Sequence, residues 1–343
     1  MSGRGIAYLS FTEKGRSLAA SLSRALGGEV SCTRDGVFLQ SWTAACFSEK
    51  AALVFVGAAG IAVRAVAPHL VSKATDPAVL AVDECGQFAI PLVSGHLGGA
   101  NALAREIARV TGATACITTA TDANGFFAFD DWARVQGMAV ADTRRIKAVS
   151  AKLLAGETVT VCSSFPIAGD IPSGVAFTES DAPDVWVDVH GHETLTLVPP
   201  ALVLGVGCRR GIAREALETR FAAFCAENEI LPQSISCAAT IDLKRKEAGL
   251  LDFCAGHGWP LSFYTAAELR ALEGDFSVSA FVEETTGVGN VCERAACLCA
   301  GGKLTVVKST GDGVTFALAR REISLDWSVE HGDTVCGGHR PGI

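Results

Sequence analysis

The sequence predicts a multidomain α/β fold in which N-terminal and C-terminal open α/β sheets flank a small middle unit. Three observations predict it: apolar runs of strand length alternate with helical repeats at both ends of the chain, glycines fall mostly between these segments, and the stretch between the two ends is broken by Pro and Gly into short pieces. A chain of 343 residues, 49% hydrophobic and 19% charged, can bury two or three such units.

In the first region, residues 1–128, "IAYLSF" is a short strand and "TEKGRSLAASLSRAL" repeats apolar residues at Leu18, Leu22 and Leu26, a helical period. "ALVFVG" is a continuous apolar run ending in Gly57, as expected of a strand covered on both faces. The helix "AGIAVRAVAPHL", closed by Pro68, leads to the strands "AVLAVD" and "QFAIPLV". The second strand runs into "SGHLGGAN", Ser94 to Asn101, and then into a helix that places Ala100, Leu103, Ala104, Ile107 and Ala108 on one face before Gly112 stops it. Ser94 to Asn101 is therefore a strand-to-helix turn, expected at the carboxyl end of a strand, where open sheets bind ligands and free helix amides favour an anion or a carbonyl. The loop composition of "ITTATDANG" puts a boundary near Ala128.

The middle unit, residues 129–196, contains helices in "DDWARVQGM" and "ADTRRIKAVSAKLLAG", a strand "TVTVCS", and the short pieces "FPIAGDIPSG" and "DVWVDVH". Prolines in "TLVPPALVLGVGCRRG" open the C-terminal region, residues 197–322. There a strand "ALVLGV" precedes a helix from about Ile212 to Asn228, with "GVGCRRG" as a glycine-rich strand-to-helix turn. "ATIDLKRKEAGLLDFC", "PLSFYTAAELRAL", a helix from Asn290 to about Ala300, and the strands "KLTVVK" and "VTFALA" complete it. Residues 323–343 form a tail whose order the sequence leaves open.

A net charge of -8 gives no long-range pull toward nucleic acid or an anionic membrane, so an anionic ligand needs a local cluster of cations and amides. The 13 cysteines are odd in number and lack framework spacing, and "MSGRGIAYLSFTEKG" has no signal-like apolar core. Reduced thiols and a cytoplasmic location are expected. The most apolar stretch, "AALVFVGAAGIAVRAVAP", is interrupted by Gly57, Gly60 and Arg64, short of the roughly 20 residues that cross a bilayer.

His96 has two readings: a general base or hydrogen-bond donor beside helix amides, or a turn residue donating to a carbonyl. Asp83 and Glu84 either cap a turn or act as acid-base carboxylates. "GVGCRRGI" carries a G-x-G, but the next glycine is one residue late for a dinucleotide fingerprint and no P-loop Lys follows. Arg209 and Arg210 stand near a helix start, where they either await an anion or pair with Glu215 or Glu218. Asp242, Lys244 and Lys246 belong to a charge run that could simply be solvated. Cys292, Cys297 and Cys299, spaced by five and two on a helix, fall on different faces and read as buried small residues. His331, Cys336 and His339 offer ligand types without a fourth partner, and no metal site is assigned.

The run from "VGAAGIAVRAVAPHL" through "VSGHLGGANALAREIARV" to "ITTATD" resembles the N-terminal region of the cobalt-precorrin-5A hydrolase (CbiG) family of anaerobic cobalamin biosynthesis. "LGVGCRRGI", "ATIDLKRKEAGLLDFC", "PLSFYTAAEL", "TGVGNVCERAA" and "DGVTFALAR" resemble its C-terminal region, in the same order. The resemblance implies an enzyme that opens the δ-lactone of a ring-contracted cobalt tetrapyrrole with water and releases acetaldehyde, giving cobalt-precorrin-5B. No separate cofactor is implied, because cobalt arrives inside the substrate. On this reading His96 and Glu84 are the expected catalytic groups, with oxyanion donors from the Gly98, Gly99 and Asn101 segment. Arg64, Arg209, Arg210 and Lys244 are the expected clamps for the substrate's acetate and propionate groups. Expected partners are the small-molecule cobalt tetrapyrrole and neighbouring pathway enzymes, with no nucleic acid and no membrane. The oligomeric state stays open, and the rival readings are a tetrapyrrole binding or transfer protein without catalysis and a nucleotide-dependent enzyme.

Overall fold

A computed structural model describes residues 5–73 and 75–328. The N-terminal sheet has six strands: β1 (Ile6–Ser10), β2 (Glu29–Cys32), β3 (Ala52–Val56), β4 (Ala78–Val82), β5 (Phe88–Val93) and β6 (Thr114–Ala115), in the order β2-β1-β3-β4-β5-β6. Alternate residues of β3 explain its apolar run. Ala52, Val54 and Val56 pack under α1 (Glu13–Leu26) and α4 (Ala100–Thr111), while Leu53 and Phe55 pack under α2 (Leu39–Glu49) and α3 (Ala59–Val66). Both faces are thus covered, as a mostly parallel sheet requires.

Two strands, β5 and β6, run against the other four. β1, β2, β3 and β4 run parallel, but β5 pairs antiparallel with β4, turning back through Asp83–Gln87. Asp83 builds that turn by accepting hydrogen bonds from the amides of Cys85 at 3.0 Å, Gln87 at 2.7 Å and Phe88 at 2.6 Å. The loop after β5 therefore lies at the amino ends of β1, β3 and β4. Ser94 to Asn101 is a strand-to-helix turn as expected, but on the opposite edge from the ligand-binding end of the parallel strands.

Two short helices, α5 (Ala120–Ala123) and α6 (Phe129–Val135), lead into a second sheet. Its strands are β7 (Ala139–Val140), β8 (Val159–Ser163), β10 (Val175–Phe177), β11 (Val185–Val187) and β12 (Leu195–Val198), ordered β10-β8-β11-β12-β7, with α7 (Ile146–Leu154) before β8 and the short β9 (Ile167–Ala168) outside it.

The third sheet, ordered β15-β14-β13-β17-β16, contains β13 (Leu202–Cys208), β14 (Ile235–Ile241), β15 (Leu261–Tyr264), β16 (Lys303–Gly311) and β17 (Val314–Arg320). Helices α8 (Arg214–Glu227) and α9 (Ala248–His257) cover one face; α10 (Ala266–Ala271) and α12 (Cys292–Ala300), joined through α11 (Ala280–Thr286), cover the other. Gly205 and Gly207 are strand residues of β13, not a phosphate loop. A Cβ on Gly205 would stand 1.8 Å from the Cys292 carbonyl oxygen, so this glycine exists to let α12 reach the sheet.

One core runs from the middle sheet into the C-terminal one, including Phe129, Trp132, Val161, Leu197, Leu204, Phe221 and Phe316. The chain then returns: β18 (Leu325–Asp326) pairs with β9, Trp327 stacks on Trp132 at 4.6 Å between ring centroids, and the Trp132 indole donates to the Asp326 carbonyl at 2.7 Å. The segment 323–328 is thus packed against the middle unit. Among the described residues no helix is long and apolar enough to cross a membrane.

Candidate functional site

The nine residues singled out in the sequence fall in three places. Glu84 and Arg64 belong to the carboxyl ends of the parallel N-terminal strands. There Phe11, Thr12, Val56, Gly57, Ala58, Ile61, Asp83 and Glu84 line a cleft of about 320 Å³. Glu84 Oε2 accepts a hydrogen bond from Thr12 Oγ1 at 2.7 Å, and Thr12 in turn caps α1 by accepting from the Gly15 amide at 3.0 Å. Helix α3 starts beside the cleft at Ala59 with no side-chain cap, so its first-turn amides have no side-chain acceptor. The exposed Arg64 folds back along α3, its Nη1 3.9 Å from the position of a Cβ on Gly60. Asp83 is committed to the turn below, as the capping reading expected.

His96, Gly98, Gly99 and Asn101 lie at the other end of β5. Six residues of strand separate them from Glu84, roughly 20 Å, so His96 and Glu84 do not meet over one substrate atom. The turn is tight. Ser94 has φ 57°, Gly99 has φ 85°, and a Cβ on Gly98 would stand 2.3 Å from that of Ser94. Glycine at both positions serves the turn itself. The amides of Gly99, Ala100 and Asn101 donate to the carbonyls of His96 at 2.9 Å, Ser94 at 3.1 Å and Gly95 at 2.9 Å. They are spent inside the loop, so this segment does not offer the expected set of free oxyanion donors.

The His96 ring is held from both sides, Nε2 by Asp122 at 2.6 Å and Nδ1 by Asp130 at 3.2 Å. Asp122 also accepts from Thr119, from Arg105 and, at 3.1 Å, from Asn101 Nδ2. Burial opposes charge on His96, but the hydrogen bonds to Asp122 and Asp130 and their negative charges outweigh it and push the imidazole up to about 10. Burial likewise resists charge on Asp122, yet His96, Thr119 and Arg105 hold it well below the usual carboxylate range. Both ring nitrogens of His96 face a carboxylate, an arrangement that favours the imidazolium, in which each N–H donates and neither nitrogen is open to take a proton from water. Leu97 packs into the core of the middle unit, and Asp130 belongs to α6, so the cluster fastens the β5–α4 turn to the middle unit. Asp122, Asp130 and Arg105 were not singled out in the sequence; the Thr119-x-x-Asp122 spacing in "TATD", a helix-start pattern, was the available signal.

Arg209, Arg210 and Lys244 share the carboxyl ends of β13 and β14. Helix α8 starts at Arg214 rather than Ile212, so the two arginines stand in the loop before it. Both are exposed, and among the described residues neither makes an ion pair; Glu218 is taken by Arg214 at 3.2 Å and His257 at 2.8 Å. The Arg209 amide donates to the Gly313 carbonyl at 2.8 Å, seating the loop on the β16–β17 hairpin. Lys244 is less free, being paired with Glu247 at 3.3 Å, while Glu247 accepts from the Gly211 amide at 2.7 Å and so ties the two loops together. Among the described residues no group of three or more His, Cys, Asp or Glu is placed to hold a metal ion. His331, Cys336 and His339 lie outside the described residues.

Comparison with known proteins adds independent findings. Residues 41–122 match the family model described as Cobalamin synthesis G N-terminal, and residues 202–319 match Cobalamin synthesis G C-terminus. The chain is 35% identical over 294 residues to the cobalt-precorrin-5A hydrolase of Salmonella typhimurium, covering 79% of this chain and 82% of that protein. It is 30% identical over 297 residues to the cobalt-precorrin-5A hydrolase of Priestia megaterium, covering 80% and 79%. A solved structure of a cobalamin biosynthesis protein G homologue from Sulfolobus solfataricus overlaps 93% of this chain and 98% of its own at 21% identity and a TM-score of 0.40.

Proposed function

The chain belongs to the cobalt-precorrin-5A hydrolase family, and from that premise we propose that it opens the δ-lactone of cobalt-precorrin-5A at the cleft lined by Glu84. The activity is hydrolytic. Water attacks the lactone carbonyl, so a base must take a proton as the oxyanion forms, and fixed donors must receive that oxyanion.

The observation that carries the site is the placing of Glu84 and the uncapped start of α3 on one cleft at the carboxyl ends of β1, β3 and β4. Glu84 is the base. The Ile61 amide donates to the Ala58 carbonyl at 3.0 Å, so the Ala59 and Gly60 amides at the start of α3 are the oxyanion donors, and Arg64 takes a peripheral carboxylate. After opening, the new hydroxyl loses its proton, the carbon-carbon bond to the macrocycle breaks, and acetaldehyde leaves as the conjugated ring accepts the electron pair. Cobalt comes with the substrate.

Arg209 and Arg210 hold further acetate or propionate groups, since an acidic protein needs local cations for such a ligand. Removing both, Arg209→Ala with Arg210→Ala, is expected to raise KM by roughly tenfold or more while kcat is kept. An unchanged KM would take this rim out of substrate binding. The cytoplasm is the compartment in which we place the reaction.

The test of the reaction is aldehyde release from cobalt-precorrin-5A, followed as NADH oxidation by alcohol dehydrogenase. Stoichiometric aldehyde is expected. A spectral change on binding with no aldehyde would replace hydrolysis by a binding or transfer role.

A further inference from the structure

Cys237, near the start of β14, and Cys299, near the end of α12, are 62 positions apart in the chain, yet their sulfurs stand 3.6 Å from each other. Arg321 Nη2 reaches both, at 3.1 Å from Cys237 Sγ and 3.8 Å from Cys299 Sγ. Ser262 Oγ is a further 3.7 Å neighbour of Cys299. Cys237 is buried, whereas Cys299, Ser262, Tyr264 and Arg321 are half-buried, so Cys299 is the more exposed residue of the pair.

We propose that Cys237 and Cys299 form a reversible disulfide whose oxidant is hydrogen peroxide, with Cys299 reacting first and Cys237 closing the bridge. Thiolate reactivity needs a nearby cation and access. Arg321 stands beside both sulfurs and nearer Cys237, so it is the greater exposure of Cys299 that puts it first. The hydrogen bond from Cys237 lowers Cys299 below the ordinary thiol range; burial opposes this, and Ser262, Tyr264 and Arg321 reinforce it. The same hydrogen bond and burial raise Cys237. By contrast, Cys225 and Cys254 are raised by burial.

The chemistry balances. The Cys299 thiolate attacks one peroxide oxygen, breaking the O–O bond, and becomes a sulfenic acid as the other oxygen leaves as water after taking a proton. The Cys237 sulfur then displaces the sulfenic hydroxyl, which leaves as a second water, so two thiols and one peroxide give one disulfide and two waters. Closure brings the sulfurs from 3.6 Å to about 2 Å and ties α12 to β14. The pair sits at the amino end of β14, away from Lys244 beyond its carboxyl end.

The test treats the full chain with hydrogen peroxide, then measures intact mass and maps peptides without reduction. A loss of about 2 Da and a Cys237–Cys299 linked peptide, both reversed by dithiothreitol, are expected. In Cys237→Ser, Cys299 is expected to be labelled by dimedone as the sulfenic acid; in Cys299→Ser, Cys237 is expected to stay unlabelled. Absence of the linked peptide from the oxidised wild-type chain would overturn the proposal, as would labelling of Cys237 in Cys299→Ser at the rate seen for Cys299. The wild-type map decides the matter even where a variant folds poorly.

Discussion

Glu84→Gln is expected to lower the rate of acetaldehyde release by about 10²-fold or more, the range associated with loss of a positioned general base. The substitution keeps the side chain's length and its ability to accept from Thr12, now through an amide oxygen, so the cleft and the α1 cap are preserved. What it removes is the capacity to take a proton. Substrate binding, read from the corrinoid spectrum, is expected to hold, and the thermal midpoint is expected to move little because Glu84 is exposed. Single-turnover aldehyde release at saturating substrate measures the effect. Turnover at the wild-type rate would take Glu84 out of the chemistry and leave the cleft as a binding feature.

That Glu84 and His96 belong to different ends of the sheet was partly legible in the chain. Five residues, Asp83–Gln87, join β4 to β5, and a parallel crossover needs a dozen or more, so the connection had to be a hairpin. Reading the apolar runs of β3 and β4 located the buried centre of the sheet, because strands covered on both faces are apolar at every position. Reading direction required the loop lengths as well. The glycines of "SGHLGGAN" and "LGVG" were legible as places of close approach, but what approaches them depends on contacts between distant segments. At Gly98 it is Ser94, and at Gly205 it is the backbone of α12. The same limit hid the His96 cluster and the Cys237–Cys299 pair. Asp130 lies 34 positions from His96, and no local period links them.

His96→Ala is expected to destabilise the protein strongly, and to do so in a pH-dependent way that a residue acting only in chemistry would not produce. The substitution leaves Asp130, 9% exposed at its side chain, without its cationic partner, and breaking such a buried pair costs about 3–5 kcal/mol. The thermal midpoint should fall by roughly 5 °C. The pH dependence follows from the two shifts. His96 is raised from 6.5 to about 10 in the fold, so its contribution is fully present below pH 6.5 and is lost as pH climbs toward 10. Asp122 is lowered, so its contribution is present above the ordinary carboxylate range and is lost as pH falls below it. The cluster therefore stabilises most between about pH 4 and 6.5, and the His96 share, on the order of 4 kcal/mol, fades across the alkaline side. Thermal midpoints of wild type and His96→Ala, measured from pH 5 to 10, should differ most at the acid end and converge toward pH 10. Parallel curves would show that His96 carries no extra proton in the fold. A folded His96→Gln variant with an unchanged midpoint and no aldehyde release would move His96 from clamp to chemistry, and with it the reaction from the Glu84 cleft to the seam at Asp130.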